Sequence, residues 1–213
     1  MKKKLMAVAL ATIIAVMAVA GASLAWLKDT TDPVVNTFTE GKVDIDLYEH
    51  KYEDGALTSD VIRNGGNSYK MVPGATFDKD PTVEVIDGSE ACWLFVKIEE
   101  VNNVDTFLEY AYITGADGWA LLEKSTINNV PTIIIYREVS AEEASAGDSY
   151  QILVGNEVSV KTSVEMKDME TIATNGQPQL KFTAYAIQSD YIVDANGVAC
   201  TTAAEAWALI GAN

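Results

Sequence analysis

The chain has 213 residues, 15 basic and 31 acidic, for a formal net charge of −16, with one His and two Cys. Its length suggests one domain, and its 48% apolar content supplies a sizeable core and argues against wholesale disorder. A surface this acidic is repelled by phosphate backbones, which excludes nucleic-acid binding, and one His with two Cys falls short of a four-ligand zinc module.

The first segment stands apart in charge. Lys2, Lys3 and Lys4 are followed by an uncharged run of 23 residues, Leu5 to Leu27. Gly21 and Ala22 break the run, and Ser23-Leu24-Ala25 offers small residues where a peptidase needs them. This is the layout of a secretory signal peptide, with the cut expected between Ala25 and Trp26. The competing reading is an uncleaved anchor, since the run is long enough to span a bilayer. Membrane contact is expected only through that uncleaved segment. Without the three lysines, residues 26–213 hold 12 basic and 31 acidic residues, a net of −19. The expected organisation is a signal peptide over 1–25 and a single domain over 26–213, with no repeat or linker.

Along 26–213, several runs alternate with period 2, as half-buried strands do. Val34–Thr39 is a weak strand candidate. Val43, Ile45 and Leu47 alternate with Asp44 and Asp46, and Thr82–Val85 is a shorter example. Cys92–Ile98 and Ile133–Tyr136 are apolar on both faces and read as central, doubly covered strands. Ser149–Val154 is weak, and Val158–Met166 alternates throughout. Leu180–Ile187 sets Phe182, Ala184 and Ala186 on one face. Gly- and Asn-rich turns separate the runs. Eight or nine short strands without regularly alternating helices predict an all-β fold, an antiparallel sandwich. Helix is expected over Asp105–Tyr112 and from Thr202, where Thr202 and Glu205 form a capping box and Ala206, Trp207, Leu209 and Ile210 an apolar face.

Little catalytic chemistry is visible. There is no HExxH, GxSxG or phosphate loop. His50 with Glu49 and Glu53 could hold a metal weakly, but a solvated His beside acids is the simpler reading. No EF-hand spacing occurs. The acids read as a solvated surface, and the cofactor expectation is none beyond weak Ca²⁺, for which Asp78-Lys79-Asp80 is the least poor site. Cys92 and Cys200 could pair in an exported chain, closing a loop of about 110 residues worth about 4–5 kcal/mol. The alternative is two buried thiols, which the apolar run around Cys92 favours. Trp26 at a free chain end is unusual unless it docks on something.

The run Ala25-Trp26-Leu27-Lys28-Asp29, followed by Val35-Asn36-Thr37-Phe38 and Gly41-Lys42-Val43, resembles the start of the TasA/camelysin family. Pro73-Gly74 with Lys79-Asp80-Pro81-Thr82-Val83 is similar to that family's PG…KDP segment. Cys92–Glu99 and Thr183–Gln188 look like two of its strands. The resemblance implies a Gram-positive secreted protein, cleaved by a signal peptidase of the SipW type, with a jelly-roll-like β-sandwich. It further implies self-association into biofilm-matrix filaments, the N-terminal segment of one subunit completing the sheet of the next. Residues 26–41 would be that segment, with Trp26, Leu27, Val34, Val35 and Phe38 as its apolar contacts. Head-to-tail addition builds open filaments. Camelysin-type members are described as metallopeptidases, but no zinc-ligand motif stands here, so peptidase activity is the weaker expectation. A surface module binding carbohydrate or a partner protein is the other alternative.

Overall fold

Apolar alternation builds most of this protein, and the strands it predicts are largely the strands observed. The computed structural model describes residues 41–210, which lie in one compact unit, Gly41–Asn213. The expected signal segment, residues 1–25, and the strand candidate Val34–Thr39 lie outside the described residues. Among the described residues no helix is long and apolar enough to cross a membrane.

The strands, in chain order, are β1 (Ile45–Glu53), β2 (Ala56–Ile62), β3 (Thr76–Asp78), β4 (Thr82–Val85), β5 (Cys92–Val101), β6 (Leu108–Glu109), β7 (Ala120–Ile127), β8 (Val130–Val139), β9 (Ser149–Gln151), β10 (Glu157–Val160) and β11 (Gln179–Gln188). Every pairing is antiparallel. One sheet runs β2-β1-β4-β9, a second β3-β10-β6, and a third β11-β5-β8-β7. The first two form one layer. Their strands are linked by Ile152 N–H to Pro81 O at 3.1 Å and Lys79 N–H to Asn156 O at 2.7 Å.

That layer faces the third sheet across an apolar core. Val83 and Val85 of β4 and Val158 of β10 pack in one cluster with Leu94, Val96, Ile133 and Ile135 of β5 and β8. The structure is therefore an antiparallel β-sandwich, as the alternation predicts. The hairpins fit their turn chemistry. Asp54-Gly55 joins β1 to β2 and Asn128-Asn129 joins β7 to β8, all four residues at positive φ, the two-residue turn whose twist matches that of the strands.

β5 and β8 are central, as their uninterrupted apolar character predicts. Their alternate residues Phe95 and Ile134 enter a second core on the opposite face of the sheet. There they are covered by a helix at Ala203–Ile210 (α4 below). Trp207 lies 5.2 Å from the Phe95 ring and 5.3 Å from Tyr185. Its first turn carries the expected capping box. Thr202 N–H donates to Glu205 Oε2 at 3.0 Å, and Glu205 N–H donates to Thr202 Oγ1 at 3.3 Å.

The other helices are α1 (Val104–Phe107), α2 (Ala141–Ala146) and α3 (Met166–Asn175). Two expectations are corrected. The strand predicted over Val158–Met166 ends at Val160. Lys161–Val164 turns, and the Asp168 carboxylate accepts the Glu165 N–H at 2.9 Å to start α3. Met169 and Ile172 then pack with Val164 over Phe107 and Val160. The helix expected over Asp105–Tyr112 is a single turn, α1, because Leu108–Glu109 is taken up as a strand beside β10. Of the two readings of Cys92 and Cys200, the structure has the one that the apolar run around Cys92 favours, two thiols and not a disulfide. Both are free and buried. Cys92 faces the inter-sheet core and Cys200 the core beneath α4, so the sheet itself stands between them.

Candidate functional site

Two neighbouring features distinguish one side of the sandwich: a set of buried charges where β4 departs from β1, and an open sheet edge at β11. The first comes from a local conflict. β1 pairs with β4 from Ile45 to Tyr48, and beyond Tyr48 the partner chain is Lys79-Asp80-Pro81. Pro81 cannot donate a ladder hydrogen bond. Side chains satisfy the β1 backbone instead. Asp80 Oδ1 accepts the His50 N–H at 2.9 Å, Asn67 Oδ1 accepts the Tyr52 N–H at 2.7 Å, and Asn67 Nδ2 donates to His50 O at 2.8 Å. The register of β1 against β2 slips between His50 and Tyr52, the mark of a bulge.

The polar side chains come in two close pairs. Lys79 Nζ donates to Glu49 Oε2 at 2.6 Å, with both side chains about nine-tenths buried. His50 Nδ1 meets Asp80 Oδ2 at 2.6 Å. Glu49 Oε1 also accepts the Asn67 N–H at 3.1 Å. Buried charges persist only when paired in this way. Aromatic rings wall the cluster. Lys79 Nζ lies 5.4 Å from the Phe182 ring and 5.8 Å from Tyr69, and Tyr69 stacks between Tyr52 and Phe77 at 4.9 and 5.3 Å. Burial, reinforced by the Glu49 charge, pushes the Tyr69 phenol well above its ordinary range.

A groove of about 900 Å³ opens above this cluster. Its walls include the Asn64–Ser68 loop, Tyr48, Tyr69, Phe77 and the start of β11 from Gln179 to Phe182. Four cations line it, but three are engaged: Lys79 with Glu49, Arg63 with Asp46 and Lys181 with Glu99. The groove is therefore amphipathic, not strongly charged.

β11 is the outer strand of its sheet, paired with β5 over all ten of its residues. Its other edge has no strand partner among the described residues. Two other edges, those of β7 and β9, are less open. β7, at the opposite end of the sheet, carries Glu123 and Lys124 and an irregularity between Leu121 and Glu123. β9 is followed by a stretch covered by Ala111 and Ile113, which bond Val154 and Ile152. β2, seven residues long and mostly exposed, is also an outer strand, and its register with β1 is broken by the slip between His50 and Tyr52. Bulges and edge charges are the usual protection against strand addition. β11 is long and in continuous register.

The other residues expected to form sites fare differently. Ala25, Trp26, Leu27, Val34, Val35 and Phe38 lie outside the described residues. Glu49, His50 and Glu53 do not converge: Glu49 turns to Lys79, His50 to Asp80 and Glu53 to Lys51. Asp78 and Asp80 also separate, Asp78 exposed at the end of β3 and Asp80 buried beside His50. Among the described residues no three His, Cys, Asp or Glu side chains form a metal-holding group. Cys92 lies deep in the core, where burial, partly opposed by Arg137, pushes its thiol up to about 11. Asn67, which completes the β1 edge, is not apparent as a site residue in the sequence. Its only signal is a place in the turn Asn64-Gly65-Gly66-Asn67.

No family model matches the chain, and neither a curated protein nor a solved structure is significantly similar to it.

Proposed function

We propose that this chain is a secreted structural protein of the TasA/camelysin kind. It would be the subunit of an extracellular biofilm-matrix fibre or surface assembly, extended by addition of residues 26–41 of one copy to the free edge of the next. The observation that carries this reading is the edge of β11, ten residues in unbroken register beside an amphipathic groove. An unpaired edge offers a ladder of backbone donors and acceptors to an incoming strand. The residues preceding the compact unit supply a fitting strand. Trp26, Leu27, Val34, Val35 and Phe38 offer apolar side chains to the groove's rings, and the sequence from Leu5 to Ala25 supports export and cleavage by a SipW-type peptidase. The contact is heterologous and does not close on itself.

The net charge of −19 over residues 26–213 opposes association, so growth is expected to need salt or divalent cations. The test is capping. A synthetic peptide of residues 26–41 occupies acceptor edges and stops elongation of the chain that begins at Trp26, measured by light scattering, while a scrambled peptide does nothing. Growth unaffected by saturating peptide contradicts the reading.

The groove favours a second reading, a surface module that binds carbohydrate across Tyr48, Tyr69 and Phe77. A glycan array probed with the monomer separates the two.

A further inference from the structure

We propose that Asn64 is a site of spontaneous deamidation. Its side chain closes on the Gly65 backbone nitrogen, releases ammonia and leaves aspartate or isoaspartate in the wall of the groove. The inference stands on the hydrogen bonding of three Asn-Gly steps and is independent of fibre assembly.

The chain holds three such steps: Asn64-Gly65, Asn175-Gly176 and Asn196-Gly197. In each, the covalent chain itself brings the reacting atoms within reach, since Asn Cγ and the next backbone nitrogen close a five-membered ring. A glycine in the second place leaves that nitrogen unshielded, having no β-carbon. The fold decides which of the three is free to react. At Asn196 both groups are held. Gly197 N–H donates to Asp194 O at 2.9 Å, and Asn196 Nδ2 donates to Asp194 Oδ2 at 3.3 Å. At Asn175, the last residue of α3, Gly176 N–H closes the helix by donating to Ile172 O at 2.9 Å. At Asn64 neither the carboxamide nor the Gly65 N–H has a hydrogen-bond partner among the described residues, and both residues are exposed. Gly65 stands at φ 92°, with no atom within 4 Å of the place a β-carbon would take. Gly197 is equally open, so hydrogen bonding alone sets those two apart.

Water is the only co-reactant. Hydroxide takes the Gly65 N–H proton, a step opposed wherever that N–H must first give up a hydrogen bond. The nitrogen lone pair adds to Asn64 Cγ, and the carbonyl oxygen takes the negative charge. Water protonates Nδ2, the Cγ–Nδ2 bond breaks, ammonia leaves and the carbonyl re-forms, giving a succinimide. A second water opens the ring at Cγ to give aspartate, or at the main-chain carbonyl to give isoaspartate. The sum is one water in and one ammonia out. Either product sets a new carboxylate in the groove wall beside Arg63. Isoaspartate also adds one methylene to the backbone of the loop whose Asn67 completes the β1 edge. The groove therefore becomes more acidic as the chain ages.

Ageing of the full chain tests this. The folded protein is held in mildly alkaline buffer beside a sample unfolded in urea, and tryptic peptides are followed by mass over time. The three steps fall in three separate peptides, residues 64–70, 168–181 and 182–213. In urea each is expected to gain the mass of water less that of ammonia. The ratio of folded to unfolded rate is expected to be several-fold higher for Asn64 than for Asn175 or Asn196, with the gain in 64–70 placed on Asn64 by fragmentation. Three results overturn the proposal: peptide 64–70 unchanged in the folded chain while it reacts in urea, a ratio for Asn175 or Asn196 as high as that for Asn64, and a gain in 64–70 that fragmentation places on Asn67. All are read in the wild type, so the result does not depend on any variant folding.

Discussion

The centre of the third sheet and the Lys79 side of the sandwich are built on opposite terms. At the centre, Phe95 and Ile134 on one face and Leu94, Val96, Ile133 and Ile135 on the other are almost wholly excluded from water. The position is set by area alone, and any apolar side chain of similar volume is tolerated there. At the Lys79 side, Glu49, Lys79 and Asp80 are nearly as deeply buried, yet each is held by a partner at hydrogen-bond distance. A core of the first kind degrades gradually when altered. A cluster of the second kind fails when either partner is removed, because the survivor is left charged and unpaired.

Phe95→Ala gives the largest expected loss. It opens a cavity beneath Trp207 and costs about 4 kcal/mol in denaturant unfolding. A cost below about 1 kcal/mol would mean that the helix α4 collapses into the space. Lys79→Met follows, at about 3 kcal/mol, since it strands the Glu49 carboxylate. A neutral result there would mean that the two regions do not differ in kind.

The α2 cap lies between these extremes. Ser140 N–H donates to Glu143 Oε2 at 2.8 Å and Glu143 N–H donates to Ser140 Oγ at 3.3 Å. Burial alone would raise the Glu143 carboxyl, but the Ser140 hydrogen bonds and the Arg137 guanidinium outweigh it and hold it below its usual range. A carboxyl depressed in the folded state stabilises above its unfolded value, and that stability is lost as pH falls through the lower folded value. Ser140→Ala is therefore expected to cost about 1 kcal/mol at about pH 7, with the difference from wild type narrowing in acid. A gap that is constant with pH would contradict the linkage.

The smallest effect concerns the thiols. Cys92 and Cys200 lie on opposite faces of one sheet, so a thiol reagent is expected to find none in the native chain and both after denaturation without reductant. Finding neither after denaturation would indicate a disulfide and overturn the placement.

Much of the sandwich is legible in the sequence because burial leaves a period. The doubly apolar runs at Cys92–Ile98 and Ile133–Tyr136 are central strands, and Thr202 with Glu205 caps α4. The alternation through Val158–Met166 misleads beyond Val160, since Val164 is buried from a turn and not from a strand, and Met166 is 80% exposed. The Ser140/Glu143 box of α2 is just as regular, but the helix it opens buries only Ala144 and so shows no apolar face to mark it. The buried cluster is not legible at all. It joins residues 49, 67 and 79 through hydrogen bonds, which leave no periodic trace, and the acids around His50 suggest a weak metal site where the structure forms a His50–Asp80 hydrogen bond and separate Glu49–Lys79 and Glu53–Lys51 pairs. The proposed assembly segment, residues 26–41, rests on sequence resemblance and on the open edge of its proposed acceptor.

Electron microscopy of the purified chain beginning at Trp26, beside the same chain without residues 26–41, tests the assembly most directly. With salt to screen the acidic surface, the longer chain is expected to form filaments, and the shorter one to remain a folded monomer. Monomers from both under every salt condition, or filaments from the shorter chain, would contradict strand addition.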